Sequence, residues 1–225
     1  MDGAVMATAG PARKRGIDGP TSARVLATSA QLFRRKGYAE STTRELAEML
    51  GIRKASLYHH ITSKEDLLYQ ICVQSLTQMT DEVLKARSET NPLGRLHTMI
   101  KAHIIQVTGA RELHAVMLTE MRGLTPEHLV EVVALRDQYE AVLRESIGES
   151  QARGLIRNDI EDKYLTLSLL NLLNWSIFWF SPSGDLDAIV LGDILATVYL
   201  EGVQVPEAEE RASTPDRRQD AGKRN

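Results

Sequence analysis

Residues 41–67 read STTRELAEMLGIRKASLYHHITSKEDL, and three signals inside that run set its local structure. Thr42-x-x-Glu45 is a capping box, so a helix is expected from Thr43 to Leu50. Gly51 closes that helix, being the residue that enters left-handed backbone without steric cost. After Gly51-Ile52-Arg53, Lys54 to His60 is expected as a second short helix, and Ser63-x-x-Asp66 opens a long one to about Arg87. Two short helices joined by a three-residue turn containing glycine are the geometry of the helix-turn-helix, whose second helix lies in the DNA major groove. Helices this short are not stable alone, so Leu46, Ala47, Leu50, Ile52, Leu57 and Ile61 must pack on the helices before and after them.

Working outward, a preceding helix is expected over Ser22–Lys36, with Val25, Leu26, Ala30, Leu32 and Phe33 inward, the cations Arg34-Arg35-Lys36 in its last turn and Gly37 as its stop. Downstream, apolar residues recur every three or four positions and almost never alternate, which predicts an all-α fold. Asn91-Pro92-Leu93-Gly94 marks a break, followed by helices near 93–108, 112–121, 126–153, 162–180 and 186–202. Thr125 and Asp159 are placed ahead of two of these as capping residues, and Gly154 as a stop. Residues 1–19 are expected as a flexible arm, 20–66 as a three-helix DNA-binding domain, 67–203 as a second helical domain, and 204–225 as a disordered tail.

Charge is divided in the same way. Residues 11–64 hold 11 Lys+Arg against 4 Asp+Glu, while the rest of the chain holds 16 against 26, an asymmetry expected of a polyanion-binding module on a non-binding body. One cysteine, Cys72, excludes an intramolecular disulfide and a Cys-rich zinc site and fits a reducing cytoplasm, where the chain is expected to act. The first twenty residues carry no apolar run of signal-peptide length, and the apolar stretch from Leu165 to Phe180 is too short and too interrupted to span a membrane. The scattered His97, His103, His114 and His128 form no ligand triad at helical spacing, and adjacent His59 and His60 point about 100° apart on a helix, so no metal is expected. No nucleophile–base pair or phosphate-cradling glycine loop is present, so no catalytic residue or cofactor is assigned.

With Leu57 and Ile61 inward, Lys54, Ala55, Ser56, Tyr58 and His59 are left on or near the exposed side of the second helix. Small Ala55 and Ser56 allow close approach to base edges, whereas Tyr58, His59, Lys64 and the first turn of the helix capped by Thr42, with Thr43 and Arg44, suit phosphate oxygens. Tyr58 has the alternative of a core aromatic, and Arg34-Arg35-Lys36 that of a helix-end cluster.

The run 41–67 resembles the DNA-binding segment of the TetR family of regulators, with its Thr-initiated second helix, Gly-Val-Ser turn and SLYHHF recognition helix followed by Ser-Lys-Glu; the match covers about residues 20–70. Arg53 stands where a capping serine is usual, Ala55 where glycine is frequent and Ile61 where phenylalanine is usual. Losing the cap costs about 1 kcal/mol of helix stability, while Arg53 adds a cation near the DNA backbone. The resemblance implies an inducer pocket in the C-terminal helices and a homodimer through the last two, spacing two recognition helices about 34–36 Å apart over a palindromic operator in double-stranded DNA.

The segment 171–186, NLLNWSIFWFSPSGDL, with Glu120-Met121-Arg122 and the stretch 134–140, resembles the acyl-CoA-responsive branch of that family, although Phe178 stands where an arginine is often found there. A largely apolar small-molecule effector is therefore expected, an acyl-CoA thioester being one such. Met117, Met121, Tyr139, Trp175, Phe178 and Trp179 would wall its pocket, and Arg122, Asn171 and Asn174 would be the polar handles; plain helix packing is the alternative for each. The resemblance implies a repressor released by that effector, against two rival readings: an effector-independent DNA-binding protein, and a helical lipid carrier or enzyme using the apolar cavity.

Overall fold

A computed structural model describes residues 20–205. The expected arm, 1–19, and the expected tail from 206 onward lie outside the described residues. The helices are α1 Pro20–Lys36, α2 Thr43–Leu50, α3 Lys54–Leu57, α4 Lys64–Lys85, α5 Pro92–Gly109, α6 Arg111–Glu120, α7 Pro126–Ala152, α8 Asp162–Asn174, α9 Ser176–Trp179 and α10 Ala188–Val203. Single 3-10 turns, Ala86–Ser88 and Met121–Gly123, follow α4 and α6. Among the described residues the one strand-like feature is a bridge between Ile156 and Gln204. Arg157 N–H also donates to Val203 and Val205 N–H to Leu155, so residues 204 and 205, expected in the tail, are docked on the α7–α8 connection.

Local chemistry explains the boundaries. The Asn91 side chain accepts from the amides of Leu93 and Gly94 to start α5, Thr125 accepts from His128 with Pro126 in the first turn of α7, and Asp187 accepts from Ile189 at α10. Gly154, at φ 69°, ends the α7 region. Asp159 does not cap α8 as expected: it pairs with Arg157 instead, and α8 begins after Glu161 without a side-chain cap.

Three expectations are corrected. The helix expected over 162–180 breaks at Trp175 into α8 and α9. Beyond the break the guanidinium of Arg111 donates twice to the Ile177 carbonyl, at 2.9 and 2.7 Å, which ties the short α9 to the start of α6. The helix expected over 54–60 keeps its regular form only to Leu57, and His59 and His60 then close three-residue turns onto Ser56 and Leu57. With no side-chain cap at Arg53, so short a segment has little to extend it. Ile52 is exposed rather than packed in the core.

The core around Val25, Leu32, Phe33, Leu46, Leu57 and Leu67 continues without a break into Val116, Leu124 and Val132 of the following helices. Helix α4 supplies both sides: Leu67 and Leu68 belong to that cluster, while Met79 and Val83 pack in the next one with Met99, Val107 and Leu143. At this seam Tyr38 lies against Gly123, where a Cβ would come within 2.6 Å of the ring. The Leu68 side chain would stand 3.1 Å from the same Cβ, so a methyl group there has little room. Gly123→Ala is expected to lower stability by about 1–3 kcal/mol, the usual cost of overpacking, measured as a urea midpoint shift with unchanged slope.

Candidate functional site

The exposed end of the N-terminal unit is built by α2 and α3. Thr42 Oγ1 accepts from Glu45 N–H while a Glu45 carboxylate oxygen accepts from Thr42 N–H at 2.9 Å, completing the capping box. The same carboxylate takes the Lys36 amine and the Thr42 hydroxyl, and these hydrogen bonds hold its pKa at about 2. Gly51, at φ 70°, turns the chain, its amide donating to Ala47 and Glu48. The chain then enters α3 from Arg53, which contributes no side-chain cap.

Arg53, Lys54, Ala55, Tyr58 and His59 are exposed, Thr43 and Ser56 are half-buried, and Leu57 and Ile61 are buried beneath them. The Tyr58 hydroxyl lies 3.3 Å from Thr43 Oγ1, so the first turn of α2 and the end of α3 converge on one edge. Among the described residues neither Arg53 nor Lys54 has an acidic partner, whereas Arg44 is paired with Glu48 at 3.0 Å. Lys64, expected to face phosphate, is placed differently. Its amine donates to the carbonyls of Tyr38, Ala39 and Ser41 and lies 4.3 Å from the centre of the Tyr38 ring, clamping the α1–α2 connection.

A cavity of about 400 Å³ opens in the C-terminal body. Leu76 and Met79 of α4, Met117 and Leu118 of α6, Met121, Tyr139 with Arg136 and Glu140 of α7, and Leu167, Leu170, Asn171 and Asn174 of α8 line it. The structure thus brings together Met117, Met121, Tyr139, Asn171 and Asn174 from the expected pocket. It does not bring in Arg122, which is exposed beside it, nor Trp175, Phe178 and Trp179, which do not line the cavity. In the sequence Leu76 and Met79 belong to the core stripe of α4, and Arg136 and Glu140 stand out only as members of the stretch 134–140 that takes part in the resemblance.

Buried polar groups lie behind this cavity. His103 Nδ1 is 2.5 Å from the Tyr139 hydroxyl, and His114 Nδ1 is 2.6 Å from Ser75 Oγ. Burial pushes His103 down to about 3, a charge on His114 would push the same way, and the nearby Asn174 side chain opposes. Burial likewise takes His114 to about 4 against the Gln106 carbonyl. Among the described residues no hydrogen-bond partner reaches Nε2 of either ring or Ser176 Oγ. Histidine spacing treats His103 only as a metal candidate, yet Met99, Ile100, Ile104 and Val107 around it on α5 put it on the buried stripe, a signal legible in the sequence.

Trp175 and Phe178, with ring centres 4.7 Å apart, and Trp179 stand at the surface, and α10 exposes Ile189, Val190, Ile194 and Val198. Exposed large apolar side chains in this number mark surface that another molecule covers. Among the described residues no group of three or more potential metal ligands is assembled, and no helix is long and apolar enough to cross a membrane.

A capped helix, a glycine turn and a short exposed basic helix, seated on a helical body with its own cavity, define a helix-turn-helix DNA-binding regulator. The description "Bacterial regulatory proteins, tetR family" matches residues 25–71, and "Tetracyclin repressor-like, C-terminal domain" matches residues 89–203. The chain belongs to the TetR family. It is 31% identical to the TetR-family regulator PfmR of Thermus thermophilus, covering 79% of this chain and 97% of that one with a TM-score of 0.74. It is 25% identical over 191 residues to the transcriptional repressor KstR2 of Mycolicibacterium smegmatis, 84% of this chain and 93% of the relative. The structure of AibR with isovaleryl coenzyme A and operator DNA is 26% identical with a TM-score of 0.72, covering 83% of this chain and 99% of that one.

The two buried histidines make stability depend on pH. Their folded pKa values, about 3 and about 4, lie below the ordinary imidazole value, so in the interval between folded and ordinary values the unfolded chain binds protons that the folded chain refuses. Stability is full above about pH 6.5 and falls as pH drops toward 4, by at most about 1.4 kcal/mol per pH unit for each ring. Urea midpoints measured from pH 7 to pH 4.5 are expected to decline, and His103→Leu to shallow the slope; a wild-type profile with no downward trend would contradict this.

Proposed function

We propose that this chain is a homodimeric repressor released from a palindromic operator when a small, largely apolar effector, an acyl thioester, enters the α4–α6–α7–α8 cavity. The observation carrying this reading is the double duty of the turn Met121–Gly123. Met121 lines the cavity, and Gly123, two residues on, seats Tyr38 of the DNA-binding unit. The Tyr38 carbonyl is in turn held by Lys64 in the connection that leads to α2. A ligand that displaces Met121 therefore acts through one rigid turn on the orientation of α2 and α3.

The DNA-facing set in this reading is Thr42, Thr43, Arg44, Arg53, Lys54, Ala55, Ser56, Tyr58 and His59, with Lys64 bracing them from behind. Residues 20–66 act as the DNA-binding domain and 67–203 as the sensing and dimerising domain. Trp175, Phe178 and Trp179 move from the pocket to the dimer interface, to which the exposed side of α10 also belongs. The similarity to AibR, whose structure contains isovaleryl coenzyme A with operator DNA, supports the thioester class. The chain acts in the cytoplasm without catalysis. The effector shifts the population toward a state whose recognition helices no longer match successive major grooves; a thousandfold loss of DNA affinity needs about 4 kcal/mol of differential binding.

Fluorescence anisotropy with duplex DNA from upstream of the chain's own gene tests the repressor, and isovaleryl-CoA added to the complex tests release. Lys54→Ala and Arg53→Ala are expected to weaken binding across sequences and to reduce the salt slope by about one each if each neutralises a phosphate. Absence of DNA binding at moderate salt would end the proposal.

Val198→Glu puts a charge into the exposed apolar side of α10 and is expected to convert a dimer to a monomer by light scattering, with loss of operator affinity because two half-sites are no longer bridged. A dimer unaffected by that change would place the interface elsewhere.

A further inference from the structure

At the wall of the cavity three polar side chains meet, and one of them is under-used. Tyr139 and Asn174 line the space, and His103, fully buried behind them, reaches the Tyr139 hydroxyl through Nδ1. Its other nitrogen, Nε2, is buried with no hydrogen-bond partner among the described residues, although the Asn174 side chain is near enough to act on the ring. An unpaired buried polar atom carries a desolvation cost that packing alone does not require, since an apolar residue of similar shape would avoid it. We propose that His103, Tyr139 and Asn174 form the subsite that receives the carbonyl oxygen of the effector, with His103 as the positioning residue that decides where the Tyr139 proton points.

A neutral imidazole has two tautomers, and in each of them one nitrogen donates and the other accepts. Burial keeps His103 neutral near pH 7, so both tautomers are open to it. With Nδ1 bare, Tyr139 donates its proton to the ring and has only lone pairs left for the cavity. With the proton on Nδ1, the ring donates to the Tyr139 oxygen, the phenol proton is free for another acceptor, and bare Nε2 can accept from the Asn174 amide after a small side-chain adjustment. A carbonyl oxygen in the cavity favours the second arrangement, because it accepts the phenol proton and every polar atom of the group then has a partner. A hydrocarbon in the same place favours the first, in which Tyr139 donates to Nδ1 and the proton on Nε2 can reach the Asn174 carbonyl oxygen by a similar small adjustment.

Charge favours an uncharged head group at this point. His103 is neutral, and burial raises the Tyr139 phenol well above its ordinary pKa, so neither contributes a charge to meet a carboxylate. Leu76, Met79, Met117 and Leu170 around them suit a short alkyl or acyl body. This inference rests on the cavity being the effector site, and names the atom by which that effector is selected.

The test compares two ligands that differ only at that atom: isovaleryl-CoA, a thioester, and 3-methylbutyl-CoA, the thioether in which a methylene replaces the carbonyl. Isothermal titration calorimetry on the full chain is expected to show the thioester binding about tenfold tighter, the value of one well-made hydrogen bond. Tyr139→Phe and His103→Leu should bring the ratio close to one, whereas His103→Asn, whose amide can stand in for Nδ1, should retain a several-fold preference. Because the readout is a ratio within one protein, a general loss of stability does not imitate the result. Equal binding of the two ligands to the wild type, or a ratio preserved in Tyr139→Phe, overturns the subsite and leaves the cavity as the effector site. If neither ligand binds while the protein still holds DNA, the thioester reading fails and the subsite falls with it.

Discussion

The structure depends on a single apolar seam, the contact of α1 and the start of α4 with α6 and the first turns of α7. Phe33, Leu46, Leu57 and Leu67 on one side and Val116, Leu124 and Val132 on the other belong to one buried cluster, so the DNA-binding unit is not tethered by a linker but packed on the body. Close-packed interiors transmit displacement because they compress little. Polar links around the seam add direction. Arg34 reaches Glu112, Glu65 accepts from the Thr125 amide and lies 2.9 Å from His128 Nδ1, and the His128 ring stacks on Tyr69 at 3.9 Å. These contacts fix the angle at which α2 and α3 leave the body.

The break at Trp175 divides the aromatic residues of the C-terminal body between two tasks. In a continuous helix over 162–180 the side chains of Asn171, Asn174 and Phe178 would follow one face. The break leaves the two asparagines on the cavity and turns Trp175, Phe178 and Trp179 to the outside. Arg111 secures the short second segment by holding the Ile177 carbonyl, and Arg111 opens α6, which lines the same cavity through Met117 and Leu118. Cavity and outer apolar surface are thus joined through one helix, so a change of shape inside can reach the surface that a second copy would cover.

The parts legible in sequence are those governed by short-range chemistry. Thr42 with Glu45, Gly51, Ser63, Asn91 and Thr125 each act on amides within a few residues, and the helix starts and stops they announce stand where expected. The inward residues of α1 and α4 follow from their spacing alone, and so does the burial of Cys72. The resemblance of 41–67 to a known DNA-binding segment comes from the same local run. The extent of α3 is less legible, because a helix without a side-chain cap has no strong local stop and ends where the packing of Leu57 and Ile61 leaves it.

What the sequence by itself determined is the all-helical order of elements, the basic helix-turn-helix and its exposed residues, since these follow from backbone capping and the 3.6-residue period. Tertiary structure alone decided that Lys64 clamps carbonyls, that Arg136 and Glu140 join the cavity while Trp175, Phe178 and Trp179 leave it, and that His103 sits behind Tyr139. Each of those outcomes depends on how helices far apart in the chain are rotated about their own axes, and that rotation is set by the packing of whole faces against one another, which no local pattern contains.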